Sequence, residues 1–196
     1  MDKLIILNLI VIAIDVGVLI LLKKLCKSDR SIYIALLILS ILTILCHYSS
    51  LLYHQIKDNS AMNYLKANPN LILPIYPCNI VMWLSLVFGV LKNKQSLFGK
   101  FLMDYLFWFG VLSATVGMFA NVDFVRNPNL KDFDIFKGVL SHGLLLLNAL
   151  ALPVLGFVKI KLERNILNIV ISTVMMFIVG LYCNLMFEVI VYKLID

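Results

Sequence analysis

The chain has 196 residues, of which 62% are hydrophobic and only 14% are charged, and its formal net charge is +6. Its mean hydropathy is +0.97. A soluble chain of this length could not bury so much apolar surface, so the composition excludes a soluble globular protein and predicts an integral membrane protein.

Six apolar segments long enough to cross a bilayer follow one another along the chain, because a span needs about 20 helical residues. They cover residues 4–22, 33–55, 71–91, 99–120, 135–158 and 165–192. The connections between them are short and rich in Lys, Asn and Asp, and none is long enough to form a soluble domain. The sequence therefore predicts an all-α fold, a polytopic membrane bundle of six transmembrane helices that forms a single domain over residues 1–196.

The basic residues are divided unequally between the two sides of this predicted bundle. The first, third and fifth connections hold ten of the 17 Lys and Arg residues, and they hold few acidic ones. Connections rich in Lys and Arg tend to stay in the cytoplasm. The distribution therefore predicts a multi-pass protein of the cell membrane with both termini outside the cytoplasm.

Polar side chains concentrate in the outward half of the bundle. In the second span Ser40, Thr43, His47, Ser50 and His54 recur at steps of three and four, so they share one helix face. The other spans place further polar residues in the same half, namely Asn79, Asn121, His142, the deeper Asn148, and Glu188. Two readings remain open: hydrogen bonding between packed helices, or a polar cavity open to the outer side. The clustering at one depth favours the cavity.

The third span contains an unusual local signal, Pro74-Ile-Tyr-Pro77-Cys78. Pro interrupts a helix but is favoured at its first position, so we predict a helix start at Pro77 within the membrane. Cys78 would lie in the first turn, where unpaired N–H groups favour a thiolate and could stabilise an oxyanion. His142 lies at a similar depth and could act as its base, with Ser141 or Asn148 orienting the ring. The alternative is an inert buried cysteine after a kink.

Three segments carry a resemblance to a known family. They are Leu-Pro-Ile-Tyr-Pro-Cys-Asn at 73–79, Tyr-Leu-Phe-Trp-Phe-Gly-Val-Leu-Ser-Ala at 105–114 and Phe-Lys-Gly-Val-Leu-Ser-His-Gly at 136–143. In this order and spacing they resemble the YwaF / TMEM164 family of integral membrane proteins, over roughly residues 70–160. The first and last spans match only in hydrophobicity.

The resemblance implies a fold related to the membrane hydrolases of the AIG1/ADTRP type. The vertebrate relative is described as a cysteine-dependent acyltransferase acting on lysophospholipids. By this resemblance Cys78 would form an acyl-thioester and His142 would activate the thiol. One position departs from the vertebrate pattern, because Asn79 stands where that relative has a histidine after the cysteine.

The leading hypothesis is a membrane-embedded phospholipid acyltransferase or acyl hydrolase with catalytic Cys78 and His142. The residues expected to bind substrate or line the cavity are Asn79, His47, His54, Asn121, Asn148 and Glu188. The same histidines with Cys78 could also hold a metal, but no close ligand motif supports one. We expect membrane lipids as partners, with no nucleic acid, cofactor or metal, and the sequence sets no oligomeric state.

Two other classes of function stay open. The substrate-binding subunit of a membrane transporter would also be a six-helix protein with a pocket in its outer half, and it would tolerate loss of Cys78. A non-catalytic membrane assembly protein would tolerate loss of both Cys78 and His142.

Overall fold

The computed structural model describes residues 2–68, 71, 76–120, 129 and 131–159, together with positions 167, 170, 171, 173, 174, 177, 178, 181, 182 and 185. Across these residues the regular structure is helical and contains no strand. This confirms the predicted all-α class.

Six helices are defined in the described part of the chain. They are α1 Asp2–Leu25, α2 Asp29–Asp58, α3 Ala61–Ala67, α4 Pro77–Val90, α5 Leu97–Phe119 and α6 Phe133–Val154. Four of them, α1, α2, α5 and α6, are long and apolar enough to cross a membrane. They agree with the first, second, fourth and fifth predicted spans. Most of the predicted sixth span, residues 165–192, lies outside the described residues.

The helix of the third predicted span is short, as the predicted start at Pro77 implies. Helix α4 has 14 residues, which is about 21 Å of helix against a hydrocarbon core of roughly 30 Å. The predicted start at Pro77 is confirmed, because Tyr76 caps α4 with an extended backbone and Pro77 occupies its first turn. The connection before it also contains the short helix α3, which the hydropathy pattern did not predict.

Helix α6 is the centre of the bundle, since it packs against α1, α2, α4 and α5. Small residues allow this close approach. A Cβ atom at Gly143 of α6 would lie 2.3 Å from Val11 Cγ1 of α1. A Cβ atom at Gly110 of α5 would lie 2.8 Å from the Cβ of Ala149 in α6. The helices therefore meet almost backbone to backbone at both contacts.

A buried hydrogen-bond network ties α2, α4 and α6 together. Asn148 donates to Thr43 Oγ1 at 2.6 Å and to the Leu144 carbonyl at 3.1 Å. Ser40 Oγ donates to the Ser85 carbonyl at 3.1 Å and lies 3.5 Å from Asn148 Oδ1. Because lipid offers no hydrogen bonds, polar groups at this depth need such partners within the protein.

Two lysines bond to helix carbonyls at the end of the bundle where α4 and α6 finish. Lys94 is only 2% exposed and donates to the carbonyls of Gly89, at 3.0 Å, and Leu91, at 2.8 Å, at the end of α4. Lys23 donates to the Val154 carbonyl at the end of α6 at 2.7 Å. A cation satisfies unpaired carbonyls and favours the negative end of the helix dipole.

Replacing Asn148 with Leu should destabilise the bundle by about 1 kcal/mol, because Thr43 and Ser40 keep their carbonyl partners within α2 and lose only their contacts with Asn148. Thermal unfolding of the purified protein in detergent measures this. The exposed Thr115→Val is the matched control and should leave the midpoint unchanged. Equal midpoints for Asn148→Leu and the wild type would contradict a structural role for the network.

Candidate functional site

A cavity of about 790 Å³ lies at the end of the bundle where α2 and α5 finish and α4 and α6 begin. Its polar lining consists of Thr43, His47, Tyr64, Asn68, Cys78, Asn79, Ser113, Asp134, Lys137, Ser141, His142 and Thr173. Its apolar lining includes Leu71, Met82, Phe109, Leu112, Val116, Ile135, Leu145 and Phe177. The cavity is therefore amphiphilic and lies at the end away from Lys23 and Lys94.

Cys78 lies in the first turn of α4 and is partly buried. Its thiol donates to Asn79 Oδ1 at 3.5 Å. The Tyr76 carbonyl already accepts from the N–H groups of Asn79, at 3.0 Å, and Ile80, at 3.2 Å. The first N–H groups of a helix have no partner within the helix, and that of Cys78 belongs to this set. The positive end of α4 thus lies beside the sulfur.

The imidazole of His142 is held by two neighbouring elements. Its Nδ1 lies 2.8 Å from the Gly138 carbonyl oxygen, one turn earlier in α6. A carbonyl can only accept, so Nδ1 carries the proton, and in the neutral ring the lone pair is on Nε2. On the other side the ring packs on Gly117 of α5, where a Cβ atom would lie 2.0 Å from Cδ2 and 2.1 Å from Nε2. The ring is therefore held between the Gly138 carbonyl and Gly117, with its proton on Nδ1.

Cys78 and His142, paired by the sequence analysis, line the same cavity. Asn79 and His47, predicted to bind substrate, line it as well. The thiol donates its hydrogen bond to Asn79. The ring of His142 is anchored by a backbone carbonyl, whereas the sequence analysis expected Ser141 or Asn148 to orient it.

His47 carries a buried Nε2 atom that has no hydrogen-bond partner among the described residues. Its backbone carbonyl accepts a hydrogen bond from Lys137 Nζ at 3.4 Å. Lys137 was not among the predicted site residues, because it was counted only with the seven basic residues of the less basic side of the bundle. The helical spacing of Asp134, Lys137 and Ser141, at steps of three and four, would have identified one shared face.

His54 lies behind the cavity lining, where it holds Asp134. Its Nε2 is 2.9 Å from Asp134 Oδ2, and Ser50 Oγ donates to the other carboxylate oxygen at 2.5 Å. The ring of His54 stacks on Tyr64 with centroids 4.0 Å apart. Burial raises the pKa of Tyr64 to about 12, so its phenol keeps its proton at neutral pH. The contacts with His54 and Ser50 thus hold the Asp134 side chain at the cavity rim.

Of the remaining predicted residues, the structure describes only Asn148, which does not line the cavity. Asn148 lies deeper, bonded to Thr43 and Ser40 in the interhelical network. Asn121 and Glu188 lie outside the described residues. Within those residues no three His, Cys, Asp or Glu side chains are grouped so that they could hold a metal ion.

Comparison with known proteins gives one match. The model of the TMEM164 family matches residues 2–190. No curated protein and no solved structure matches the chain. The family match is wider than the resemblance over residues 70–160, because it also includes the first span and nearly all of the predicted last one.

Replacing Gly117 with Ala should destabilise the protein by about 1–3 kcal/mol, because the new methyl group overlaps the His142 ring. Removing the ring in the double variant Gly117→Ala/His142→Ala should recover most of this loss relative to His142→Ala alone. Thermal unfolding of the four proteins in one detergent gives the coupling energy.

Gly17→Ala is the matched control, since a Cβ atom there meets nothing within 4 Å. Additive effects of the Gly117 and His142 substitutions would refute the contact between the ring and α5.

Proposed function

The chain belongs to the TMEM164 family of membrane proteins, and from this premise we propose that it is an acyltransferase or acyl hydrolase acting on phospholipids. Cys78 is the nucleophile and His142 the base. The observation that carries the proposal is their presence on the wall of one amphiphilic cavity. Its volume of about 790 Å³ is within the range of roughly 300–1,000 Å³ that is usual for small-molecule sites.

The first half-reaction forms an acyl-enzyme. The Cys78 thiol turns from Asn79 toward His142 and gives its proton to Nε2, and the thiolate attacks the ester carbonyl carbon. The tetrahedral intermediate collapses with cleavage of the bond to the glycerol oxygen. That oxygen takes the proton from His142 and leaves as the alcohol of a lysolipid, and the acyl group remains on sulfur as a thioester.

The second half-reaction releases the acyl group. The hydroxyl of an acceptor lysolipid, or water, gives its proton to His142 Nε2 and attacks the thioester carbonyl. Collapse of the intermediate breaks the carbon–sulfur bond, and the sulfur recovers its proton from His142. With a lysolipid the product is a new phospholipid, and with water it is a free fatty acid.

The surroundings of Cys78 favour the charges that develop in both steps. The N–H groups at the start of α4 can donate to the oxyanion, and the helix dipole favours negative charge there. The apolar lining, which includes Leu112 and Val116, provides a surface for the acyl chain.

Purified protein incubated with a phospholipid of defined acyl chains should gain one acyl group on Cys78. Intact-mass spectrometry detects the adduct, and neutral hydroxylamine should remove it because it cleaves thioesters. Cys78→Ala should show no adduct. His142→Gln should form the adduct more slowly by about 10²–10⁴-fold, the usual contribution of a general base.

Cys46→Ala is the matched control, because Cys46 is a partly buried thiol whose Sγ lies 3.9 Å from the Lys137 carbonyl oxygen and which does not line the cavity. It should acylate like the wild type. An adduct that persists in Cys78→Ala would refute the proposal. A protein that binds a water-soluble ligand and never acylates would instead support the transporter subunit, and one that does neither would support the assembly protein.

We also propose that the cavity opens outside the cytoplasm, because the basic connections lie at the other end of the bundle. Asn93 and Asn129 are exposed residues at opposite ends, and each accepts a bond from the N–H two residues later. In a variant without native cysteines, an impermeant maleimide added to intact cells should label Asn129→Cys and not Asn93→Cys. The reverse pattern would overturn the orientation.

A further inference from the structure

We propose that Lys137 and His47 form an anion subsite that binds the phosphodiester of a phospholipid headgroup. The inference deepens the proposed function and rests on it, because it assigns how the acyl substrate is held beside Cys78. It concerns two side chains on the cavity wall that the acyl-transfer steps do not require to react.

Lys137 is a partly buried cation that makes no salt bridge within 4 Å in the described part of the chain, although the Asp134 carboxylate is near enough to attract it electrostatically. The ion pair found among those residues joins His54 to Asp134, and both carboxylate oxygens of Asp134 have their own partners. The acceptor within reach of Lys137 Nζ is the His47 carbonyl, at the long distance of 3.4 Å. A charge removed from water without a counter-ion is costly, so this ammonium is suited to an anionic ligand.

His47 supplies a second donor beside the ammonium. The residue lines the cavity, its Nε2 is a buried atom without a partner among the described residues, and its backbone carbonyl contacts Lys137. In the tautomer with the proton on Nε2, the ring donates one hydrogen bond. An ammonium and a ring N–H group on neighbouring residues of one cavity wall match the oxygens of a phosphodiester, and hydrogen bonds to charged oxygens are the stronger kind.

The position of Lys137 along α6 fits the spacing within a phospholipid. Helix α6 begins at the cavity end of the bundle, and His142 follows Lys137 by five residues, a rise of about 7.5 Å along the axis. The Lys137 level of α6 thus lies about 7.5 Å outward of His142 along the helix axis, a separation comparable to that between the phosphate and the ester carbonyls of a phospholipid. A phosphate held by Lys137 would leave the ester carbonyl to reach Cys78 deeper in the cavity.

The test measures binding in the full chain with Cys78→Ala, which removes turnover. Two probes with the same acyl chain are compared in detergent: a lysophospholipid and a monoacylglycerol, which lacks the phosphate. The proposal expects Lys137→Met to weaken lysophospholipid binding by about tenfold or more and to change monoacylglycerol binding by less than about twofold. His47→Phe should act in the same direction by about threefold.

Two matched variants control this result. Lys131→Met removes an exposed cation outside the cavity and should leave both affinities unchanged. Lys137→Arg keeps the charge and should keep most of the preference for the lysophospholipid. Equal weakening of both probes in Lys137→Met, or no weakening of either, would overturn the subsite.

Inorganic phosphate distinguishes the source of the anion. If millimolar phosphate occupies the site and the lysophospholipid has no advantage over the monoacylglycerol, the site takes free phosphate and the headgroup assignment is wrong. If the lysophospholipid is preferred and phosphate does not displace it, the headgroup assignment is supported.

Two further readouts separate this inference from the proposed chemistry. Preserved probe discrimination without any acyl-enzyme in the protein that retains Cys78 would refute the acyl transfer and keep the subsite. An acyl-enzyme that forms normally in a protein that does not discriminate between the two probes would refute the subsite and keep the chemistry.

The second readout is alkylation of Cys78. With uncharged iodoacetamide, Lys137→Met in the protein that retains Cys78 should be alkylated at a rate similar to that of the wild type. A large drop in the alkylation rate, with lysophospholipid binding preserved, would instead show that Lys137 stabilises the Cys78 thiolate.

Discussion

The arrangement of this protein depends on the backbone break at Pro77. Lipid provides no partners for peptide groups, so a helix that begins at membrane depth must have protein or a polar cavity around its first turn. Helix α4 begins there with Tyr76 as its cap and spans only 14 residues. The surrounding helices must therefore leave room at that level and line it with polar groups. The start of α4 at Pro77 accordingly places Cys78 on the cavity wall.

The residues of α6 that line the cavity lie at successive depths along the helix axis. Asp134 lies at the rim, Lys137 follows one turn later, and His142 contacts Gly117 one turn further on. Asn148 then connects the helix to α2 below the cavity. Because a helix advances 1.5 Å per residue, its sequence places the proposed headgroup subsite, the proposed base and the packing contact at successive depths. The close packing of α6 on four neighbours holds these levels in place.

Much of the site was predicted from the sequence, and the omissions have one cause. Pro77 and Cys78 were identified because proline restricts the local backbone wherever it occurs. Lys137 was treated as a connection charge, because hydropathy averages over a window and does not tell which face of a helix start is enclosed. Asn148 and His54 were placed on the cavity by depth alone. In the fold Asn148 bonds to Thr43 within the bundle, and His54 bonds to Asp134 behind the cavity lining.

The sequence alone determined the membrane class, the predominantly helical structure and the position of the interrupted span. These follow from local properties, namely apolar length, helical period and the missing N–H of proline. Only the tertiary structure decided which polar residues share the cavity, that the Gly138 carbonyl sets the His142 tautomer, and that Lys137 lies beside His47. The physical reason is that these contacts depend on how helices distant in sequence rotate and approach one another. Small residues such as Gly117 permit that approach, but their positions in the sequence do not identify the helix that packs against them.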